Sequence, residues 1–202
     1  MKHHQEKSTI VSIAATVVVI IAFIGVLYVL SRGSSVVGNG VAAGSTLDDL
    51  VGKPAPRFLL KDKTGAVYTN ESLKGKNTVL FFNEGIMCYP ACWNQIAALS
   101  RDSRLNSSGT VAFSVVIDQP SEWQDAIGQM PELGSAAILF DTTKTVSRAY
   151  NMLTVNSSMH YGSYPGHTFV IIDKQGIVRW VFDDPNMAID NDKIASELQS
   201  LN

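Results

Sequence analysis

The sequence predicts an α/β domain with a mixed β-sheet flanked by helices on both faces, preceded by one N-terminal transmembrane helix. Two observations predict the domain. Short apolar runs typical of buried strands alternate with segments of helical periodicity, and a hairpin pattern stands at each end of this series. A third observation, a long uncharged apolar segment near the N-terminus, predicts the membrane helix.

The membrane helix is predicted over residues 8–30, where no charged residue occurs and almost every side chain is apolar. A helix of about 20 such residues crosses the hydrocarbon core of a bilayer. Lys2 and Lys7 precede the run and only Arg32 follows it closely, which favours a cytoplasmic N-terminus and an extracytoplasmic domain. The small-residue stretch 41–44 leaves cleavage of a signal peptide as an alternative.

The chain of 202 residues therefore divides into four parts. We expect a cytoplasmic tail over 1–7, the membrane helix over 8–30, a flexible tether rich in Gly, Ser and Val over 31–49, and the domain over 50–202. The formal net charge is −2. No basic face is evident, so the composition argues against a nucleic-acid partner.

The first elements of the domain precede its only cysteines. Two segments, 58–60 and 66–69, flank the turn at 62–65, and this pattern predicts a hairpin. Asn70 to Gly75 is typical of a capped helical turn that ends at glycine. The apolar run 78–82 then predicts a strand buried on both faces.

The middle of the domain alternates between helix and strand. Trp93 begins a helix that we expect to continue to about Arg104. An apolar strand is predicted over 110–117, and a helix over 121–127 with Ser121 as its N-cap. A short strand is expected over 136–140.

The C-terminal part closes the sheet. A helix is predicted over 143–152, and strands over 167–173 and 177–182 form a hairpin around the turn at 174–176. The final helix is expected over 190–201, with apolar residues at helical spacing on its inner face. Helices that begin after strand ends bring reactive residues to the carboxyl edge of such a sheet.

The two cysteines of the chain lie together in Cys88-Tyr89-Pro90-Ala91-Cys92, between the strand 78–82 and the helix that follows. Two thiols at such a junction can form a redox-active disulfide or hold a metal. A static structural disulfide is the third alternative, although so small a loop contributes little chain-entropy stabilisation.

Four segments together resemble a known superfamily. Residues 51–58, 62–65, 73–76 and 168–178 are similar to the redoxin branch of the thioredoxin fold. That branch includes the alkyl hydroperoxide reductase/thiol-specific antioxidant proteins and membrane-tethered thiol–disulfide oxidoreductases. The resemblance implies a thioredoxin-like sheet, antioxidant or exchange activity on a peroxide or a protein dithiol or disulfide, and no cofactor.

The resemblance implies roles for the cysteines in two ways. In the exchange enzymes, Cys88 would be the exposed attacking thiol and Cys92 the resolving thiol. In a peroxiredoxin-like alignment, residues 89–92 take the place of a Thr-Pro-x-Cys motif, so Pro90 matches its proline and Cys92 is the attacker. Tyr89 then stands where that motif has its hydroxyl residue.

Four further residues are candidates for supporting roles. Glu84 could relay protons to the thiols or be a solvated loop charge. Trp93 could cover the thiols or belong to the core. The resemblance implies a cis proline, Pro165, before the strand that faces the cysteines. His167 could tune a thiolate, bind a metal or be satisfied by local backbone.

Copper binding is the alternative function. Three residues separate the cysteines, as in the Sco-type copper chaperones, which resemble redoxins with two cysteines and a distal histidine. The alternative ligand set is Cys88, Cys92, His167 and His160. Met159 and His160 offer a thioether and an imidazole, both suited to copper, or else lie on a loop surface.

Overall fold

The computed structural model describes residues 46–201, which form a seven-stranded mixed sheet flanked by helices. The strand order is β2-β1-β5-β4-β3-β6-β7. The strands are β1 (Leu59–Asp62), β2 (Val67–Thr69), β3 (Asn77–Phe82), β4 (Thr110–Val116), β5 (Ile138–Phe140), β6 (Thr168–Ile172) and β7 (Val178–Asp183).

Parallel and antiparallel pairing divide the sheet into a centre and two edges. Strands β3, β4 and β5 are parallel neighbours at the centre. The hairpin β1–β2 joins antiparallel to β5, and the hairpin β6–β7 joins antiparallel to β3. The predicted mixed sheet with a hairpin at each end is therefore confirmed.

Helices cover both faces of the sheet because β3 is apolar on both. Val79 and Phe81 pack on one face, in a core that includes residues of three helices. Leu80 and Phe82 point to the other face, where they share a core with Tyr150. The helices are α1 (Ala91–Arg101), α2 (Trp123–Gln129), α3 (Thr145–Ala149) and α4 (Asn191–Gln199).

Side-chain hydrogen bonds explain two differences from the predicted helices. The predicted helical turn at 70–75 is a non-helical turn, because Asn70 accepts the Phe58 N–H at 2.8 Å and donates to Pro56 O instead of capping a helix. Helix α2 begins at Trp123 and not at Ser121, since the preceding 3-10 turn is capped by the Gln119 N–H donating to Glu122 at 2.7 Å.

The helix predicted over 143–152 is shorter, because both of its ends are defined locally. Asp141 accepts hydrogen bonds from the N–H groups of Val146 and Ser147, at 3.2 and 2.6 Å, and so caps the first turn of α3. Asn151 has a left-handed conformation with φ +60°, which ends the helix.

The predicted tail, membrane helix and most of the tether lie outside the described residues. The end of the expected tether, 46–49, is described, and Asp48–Leu50 forms a 3-10 turn whose Leu50 is buried. Gly52 N–H then donates to Val178 O of β7 at 2.8 Å. None of the helices within 46–201 combines the length and apolar character needed to cross a bilayer.

Tyr150 provides a test of the core on the α3 side. Its side chain is fully buried, and its hydroxyl donates to Pro56 O at 2.9 Å. Tyr150→Phe should lower the free energy of unfolding by about 1 kcal/mol, because a buried hydrogen bond is lost while Pro56 O keeps its bond from Asn70. Urea denaturation measures this change. Tyr161→Phe is the control, since Tyr161 is exposed, and equal loss in both variants would contradict the assignment.

Candidate active site

The two cysteines form a disulfide at the junction of β3 and α1, with a sulfur–sulfur distance of 2.07 Å. Cys88 follows a 3-10 turn, Gly85–Met87, and Cys92 is the second residue of α1. The Cys92 N–H donates to Cys88 O at 2.9 Å. The bridge therefore lies at the N-terminus of an 11-residue helix, where the helix dipole favours a thiolate over a thiol.

Gly85 allows the chain to turn from β3 into the cysteine motif. Its φ is +63°, and a Cβ atom at this position would lie 1.8 Å from Asp118 Oδ2. The Asp118 carboxylate occupies that space because it accepts the Ile86 N–H at 3.1 Å and the Trp123 indole N–H at 3.2 Å. Burial raises the pKa of Asp118, although both hydrogen bonds act in the opposite direction. Sequence analysis missed Asp118.

Both cysteines are buried in the oxidised protein. Cys88 is 2 % exposed and Cys92 is 1 % exposed, so the expectation of an exposed Cys88 is wrong. The side chains on either side of Cys88, Met87 and Tyr89, are exposed. Met187 also contributes to the cover, since its Sδ atom lies 4.0 Å from Cys88 Sγ. An attacking group must therefore displace neighbouring side chains to reach the bridge.

His167 lies beside Cys92 because of the register between β3 and β6. Phe82, the last residue of β3, pairs with Thr168, the first residue of β6, so His167 is placed next to the segment that leads to the cysteines. The distance from His167 Nδ1 to Cys92 Sγ is 3.7 Å. The structure thus brings together three of the predicted site residues.

The tautomer of His167 follows from its second contact. His167 Nε2 lies 3.2 Å from Ala188 O. A carbonyl oxygen only accepts hydrogen bonds, so Nε2 carries the proton and Nδ1 presents a lone pair to Cys92. Burial lowers the pKa of His167 to about 4, although Asp184 acts in the other direction, so the imidazole is neutral at pH 7.

The loop between β7 and α4 supplies groups that sequence analysis did not assign to the site. Asp184 accepts the N–H groups of Asn186 and Ala188 at 3.0 and 2.7 Å, and these bonds outweigh burial and lower its pKa. Burial, together with the charge of Asp184, raises the pKa of Asp190 to about 6. Met187 and Ala188 belong to this loop. They lie about a hundred positions after the cysteines, and no local pattern marks them.

Glu84 is fully buried, so its interpretation as a solvated loop charge is wrong. Its carboxylate accepts the Met159 N–H at 2.7 Å and bonds His160 Nδ1 at 2.9 Å. Within the described part of the chain, its hydrogen-bond partners belong to the segment 158–160 and not to the cysteines. The structure therefore assigns Glu84 a role in holding that segment, and places His160 against Glu84.

Trp93 belongs to the core. It is 3 % exposed and packs on the sheet side of α1, while its ring meets the exposed Tyr89 ring at 4.9 Å between centroids.

The expectation of a cis proline at Pro165 is wrong. In residues 46–201 the cis peptide bond is Tyr89–Pro90. Pro165 is buried and is followed by Gly166, where a Cβ atom would lie 2.4 Å from the Val155 side chain. The segment before His167 thus packs closely through a residue without a side chain.

The fold and the site together define the class of protein. A disulfide at the N-terminus of the helix that follows an inner strand of this mixed sheet is the arrangement of a redoxin-type thiol oxidoreductase fold. The AhpC/TSA family model matches residues 51–181. The chain belongs to the AhpC/TSA family, and the resemblance to redoxins is confirmed.

Solved structures with the same fold include peroxiredoxins and a putative disulfide isomerase. The mitochondrial 2-Cys peroxiredoxin of Plasmodium falciparum is 21% identical, with a TM-score of 0.61 over 75% of this chain and 93% of that chain. Peroxidoxin BcpB of Mycobacterium tuberculosis is 20% identical, with a TM-score of 0.60 over 75% and 97%.

The putative protein disulfide isomerase of Bacteroides thetaiotaomicron is 16% identical, with a TM-score of 0.56 over 75% and 89%. At these identities the structures show a shared fold. A search of curated proteins found no match to the chain.

The depressed pKa of His167 predicts how stability changes with pH. The folded-state pKa, about 4, is below the usual 6.5, so the unfolded chain takes up a proton first as the pH falls. The free energy of unfolding should therefore decrease as the pH falls from about 6.5 to 4. Asp190 has the opposite effect. Its folded-state pKa is raised, so it contributes stability at low pH that is lost as the pH rises through about 6.

A comparison with His167→Gln isolates this contribution. Between pH 7 and 4.5 the oxidised wild type should lose about 2 kcal/mol more unfolding free energy than the variant. Urea denaturation at several pH values measures the difference. Parallel curves for the two proteins would contradict the assignment of a neutral, buried imidazole.

Proposed function

We propose that this protein is a membrane-anchored, extracytoplasmic thiol–disulfide oxidoreductase of redoxin type, acting on a protein dithiol or disulfide. The observation that supports it best is the contact between Cys92 Sγ and the unprotonated Nδ1 of His167, at 3.7 Å. A static bridge has no need of a base beside one sulfur, whereas exchange requires removal of a thiol proton.

Cys88 is the sulfur that we expect to react with the partner. It adjoins exposed side chains in the sequence and is covered by Met187, which is itself partly exposed. Cys92 lies on the His167 side. In the reduced protein, the Cys88 thiolate attacks the partner disulfide, forming a mixed disulfide and releasing one partner sulfur as a thiolate.

Cys92 then resolves the mixed disulfide with the help of His167. The Cys92 thiol is hydrogen-bonded to His167 Nδ1, which takes its proton as the sulfur attacks Cys88 Sγ. This step forms the Cys88–Cys92 bridge and releases the second partner sulfur as a thiolate, which takes the proton from His167. The partner gains two electrons and the protein loses two. A protein dithiol of lower potential returns the bridge to the dithiol form.

Peroxide reduction is the second chemistry open to the same dithiol. A thiolate attacks one peroxide oxygen and breaks the oxygen–oxygen bond, which forms a sulfenic acid and releases the other oxygen as an alkoxide or hydroxide. The thiol of the other cysteine then condenses with the sulfenic acid, releasing water and forming the same bridge. Membership in the AhpC/TSA family supports this substrate class. Peroxide consumption and insulin reduction, measured on the same preparations, separate the two activities.

The anchoring and the orientation rest on the sequence of residues 1–32. The full-length protein should remain in the membrane fraction after a carbonate wash, and protease added outside intact cells or spheroplasts should digest the domain. Release by carbonate, or protection of the domain until the membrane is opened, would contradict this part of the proposal.

The order of attack predicts which single cysteine variant traps a partner. Cys92→Ser should accumulate a stable mixed disulfide at Cys88 with a model disulfide such as oxidised glutathione, because the resolving thiol is absent. Cys88→Ser should form much less adduct. Intact-mass spectrometry of both variants measures the adducts, and both should lose insulin reduction. Full activity in both would exclude dithiol exchange, and preferential trapping on Cys92 would reverse the order.

The role of His167 predicts a defect confined to the resolution step. His167→Gln should slow decay of the mixed disulfide at least tenfold at pH 7, since proton removal by a positioned base is lost. The defect should shrink at pH 9, where the Cys92 thiol ionises without help. Stopped-flow decay of a fluorescent mixed disulfide gives this rate. An equal defect at both pH values would indicate a structural role instead.

Copper carriage is the second candidate function, and the placement of His167 favours it. An imidazole nitrogen with a free lone pair beside two cysteines is a donor set suited to Cu(I). His160 is bound to the buried Glu84, so it is the less suitable histidine. Titration of the reduced protein with Cu(I) should show one bound ion, lost in His167→Ala and retained in His160→Ala.

A further inference from the structure

Met187 brings a third sulfur atom to the cysteine pair. Its Sδ atom lies 4.0 Å from Cys88 Sγ. The residue belongs to the loop between β7 and α4 and is far from the cysteines in sequence. No feature of the sequence singled it out. The disulfide, His167 and this thioether therefore form one cluster of soft and borderline donor atoms.

The backbone holds Met187 in an unfavourable conformation at this position. Its φ is +51°, in the left-handed region that a non-glycine residue rarely adopts. Such a conformation persists where the surroundings impose it. Here the Met187 N–H donates to Asp184 O at 3.1 Å, and the Asp184 carboxylate accepts the N–H groups of Asn186 and Ala188.

The loop between β7 and α4 also orients the imidazole of His167. Ala188, the residue after Met187, accepts the Nε2 proton of His167 and so leaves the Nδ1 lone pair directed at Cys92. A histidine whose second nitrogen is fixed by a backbone carbonyl is the usual arrangement of a metal ligand. One loop therefore supplies one donor, Met187, and orients another, His167, while α1 with its preceding turn places the two cysteines.

Two of the spacings between donor atoms are close to those of a four-coordinate site. With metal–sulfur bonds of about 2.3 Å and metal–nitrogen bonds of about 2.0 Å, tetrahedral geometry gives about 3.8 Å between sulfurs and about 3.5 Å between sulfur and nitrogen. The structure has 4.0 Å from Cys88 Sγ to Met187 Sδ and 3.7 Å from Cys92 Sγ to His167 Nδ1. The bonded sulfur–sulfur distance of 2.07 Å is too short for two ligands of one metal ion, and it opens when the bridge is reduced.

We propose that Met187 is a ligand of a Cu(I) site formed with Cys88, Cys92 and His167 in the reduced protein. The inference rests on the copper-carrier function above and identifies its fourth ligand. A protein dithiol first reduces the bridge by two electrons, and binding of Cu(I) then displaces one proton from each thiol, with no change in oxidation state. A thioether favours Cu(I) over Zn(II), because it is a soft, uncharged donor.

The test is competition for Cu(I) between the reduced, anaerobic protein and a chromophoric chelator. Met187→Leu keeps the apolar volume and removes the sulfur, so it should weaken Cu(I) binding at least tenfold. Met159→Leu is the matched control, because Met159 is an exposed methionine on the segment held by Glu84, and its affinity should equal that of the wild type. X-ray absorption should count three sulfur ligands in the wild type and two in Met187→Leu.

A rescue variant separates loss of a ligand from loss of structure. Met187→His should restore much of the affinity and replace one sulfur scatterer by nitrogen. Equal affinity and equal sulfur count in the wild type and Met187→Leu would overturn the role of Met187 while leaving copper carriage intact. Failure of the wild type to bind one Cu(I), or tighter binding of Zn(II), would overturn the copper-carrier function itself.

Discussion

The hydrogen bond from His167 Nε2 to Ala188 O determines the chemistry available to the cysteine pair. Without it, either nitrogen of a neutral imidazole could carry the proton. With it, Nδ1 faces Cys92 as an acceptor, which suits it to remove a proton from a thiol or to bind a soft cation. The burial that keeps this imidazole neutral also keeps water away from the sulfur atoms. The position, the tautomer and the buried environment of His167 therefore all favour the same chemistry at the cysteine pair.

Three separate parts of the chain meet at this hydrogen bond. The β3–α1 junction provides the cysteines, the start of β6 provides His167, and the β7–α4 loop provides Ala188. Antiparallel pairing of β3 with β6, and of β6 with β7, brings these parts to one edge of the sheet. Thr168 pairs with both Phe82 and Asp183, so a shift in either register would move His167 away from one of its two partners.

The sheet could be predicted from the sequence because its signals are local. Alternation of apolar runs with helical segments gave the strands, their order along the chain and the helix after Cys92. The helix ends were harder, because a side chain such as Asn70 can cap a helix or bind a distant carbonyl, and only tertiary packing decides between them.

The site was predictable only in part, for the same physical reason. Cys88, Cys92 and His167 could be chosen because their chemistry is unusual wherever they occur. Other features of the site depend on contacts between residues 75 to 99 positions apart. These features are the hydrogen bonding of Glu84, the burial of the bridge and the contribution of Met187. No local periodicity encodes such contacts. The cis peptide bond was expected from family resemblance at Pro165 and occurs instead within the cysteine motif.

The turn at Gly85 has a consequence for how related sites are recognised. Its left-handed backbone and the carboxylate packed where a side chain would begin both favour glycine at this position. A chain that carries the same cysteine spacing but a larger residue three positions earlier must displace that carboxylate or route its backbone differently. Recognition of such a site from sequence can therefore use that glycine, and an aspartate after the next strand, in addition to the two cysteines.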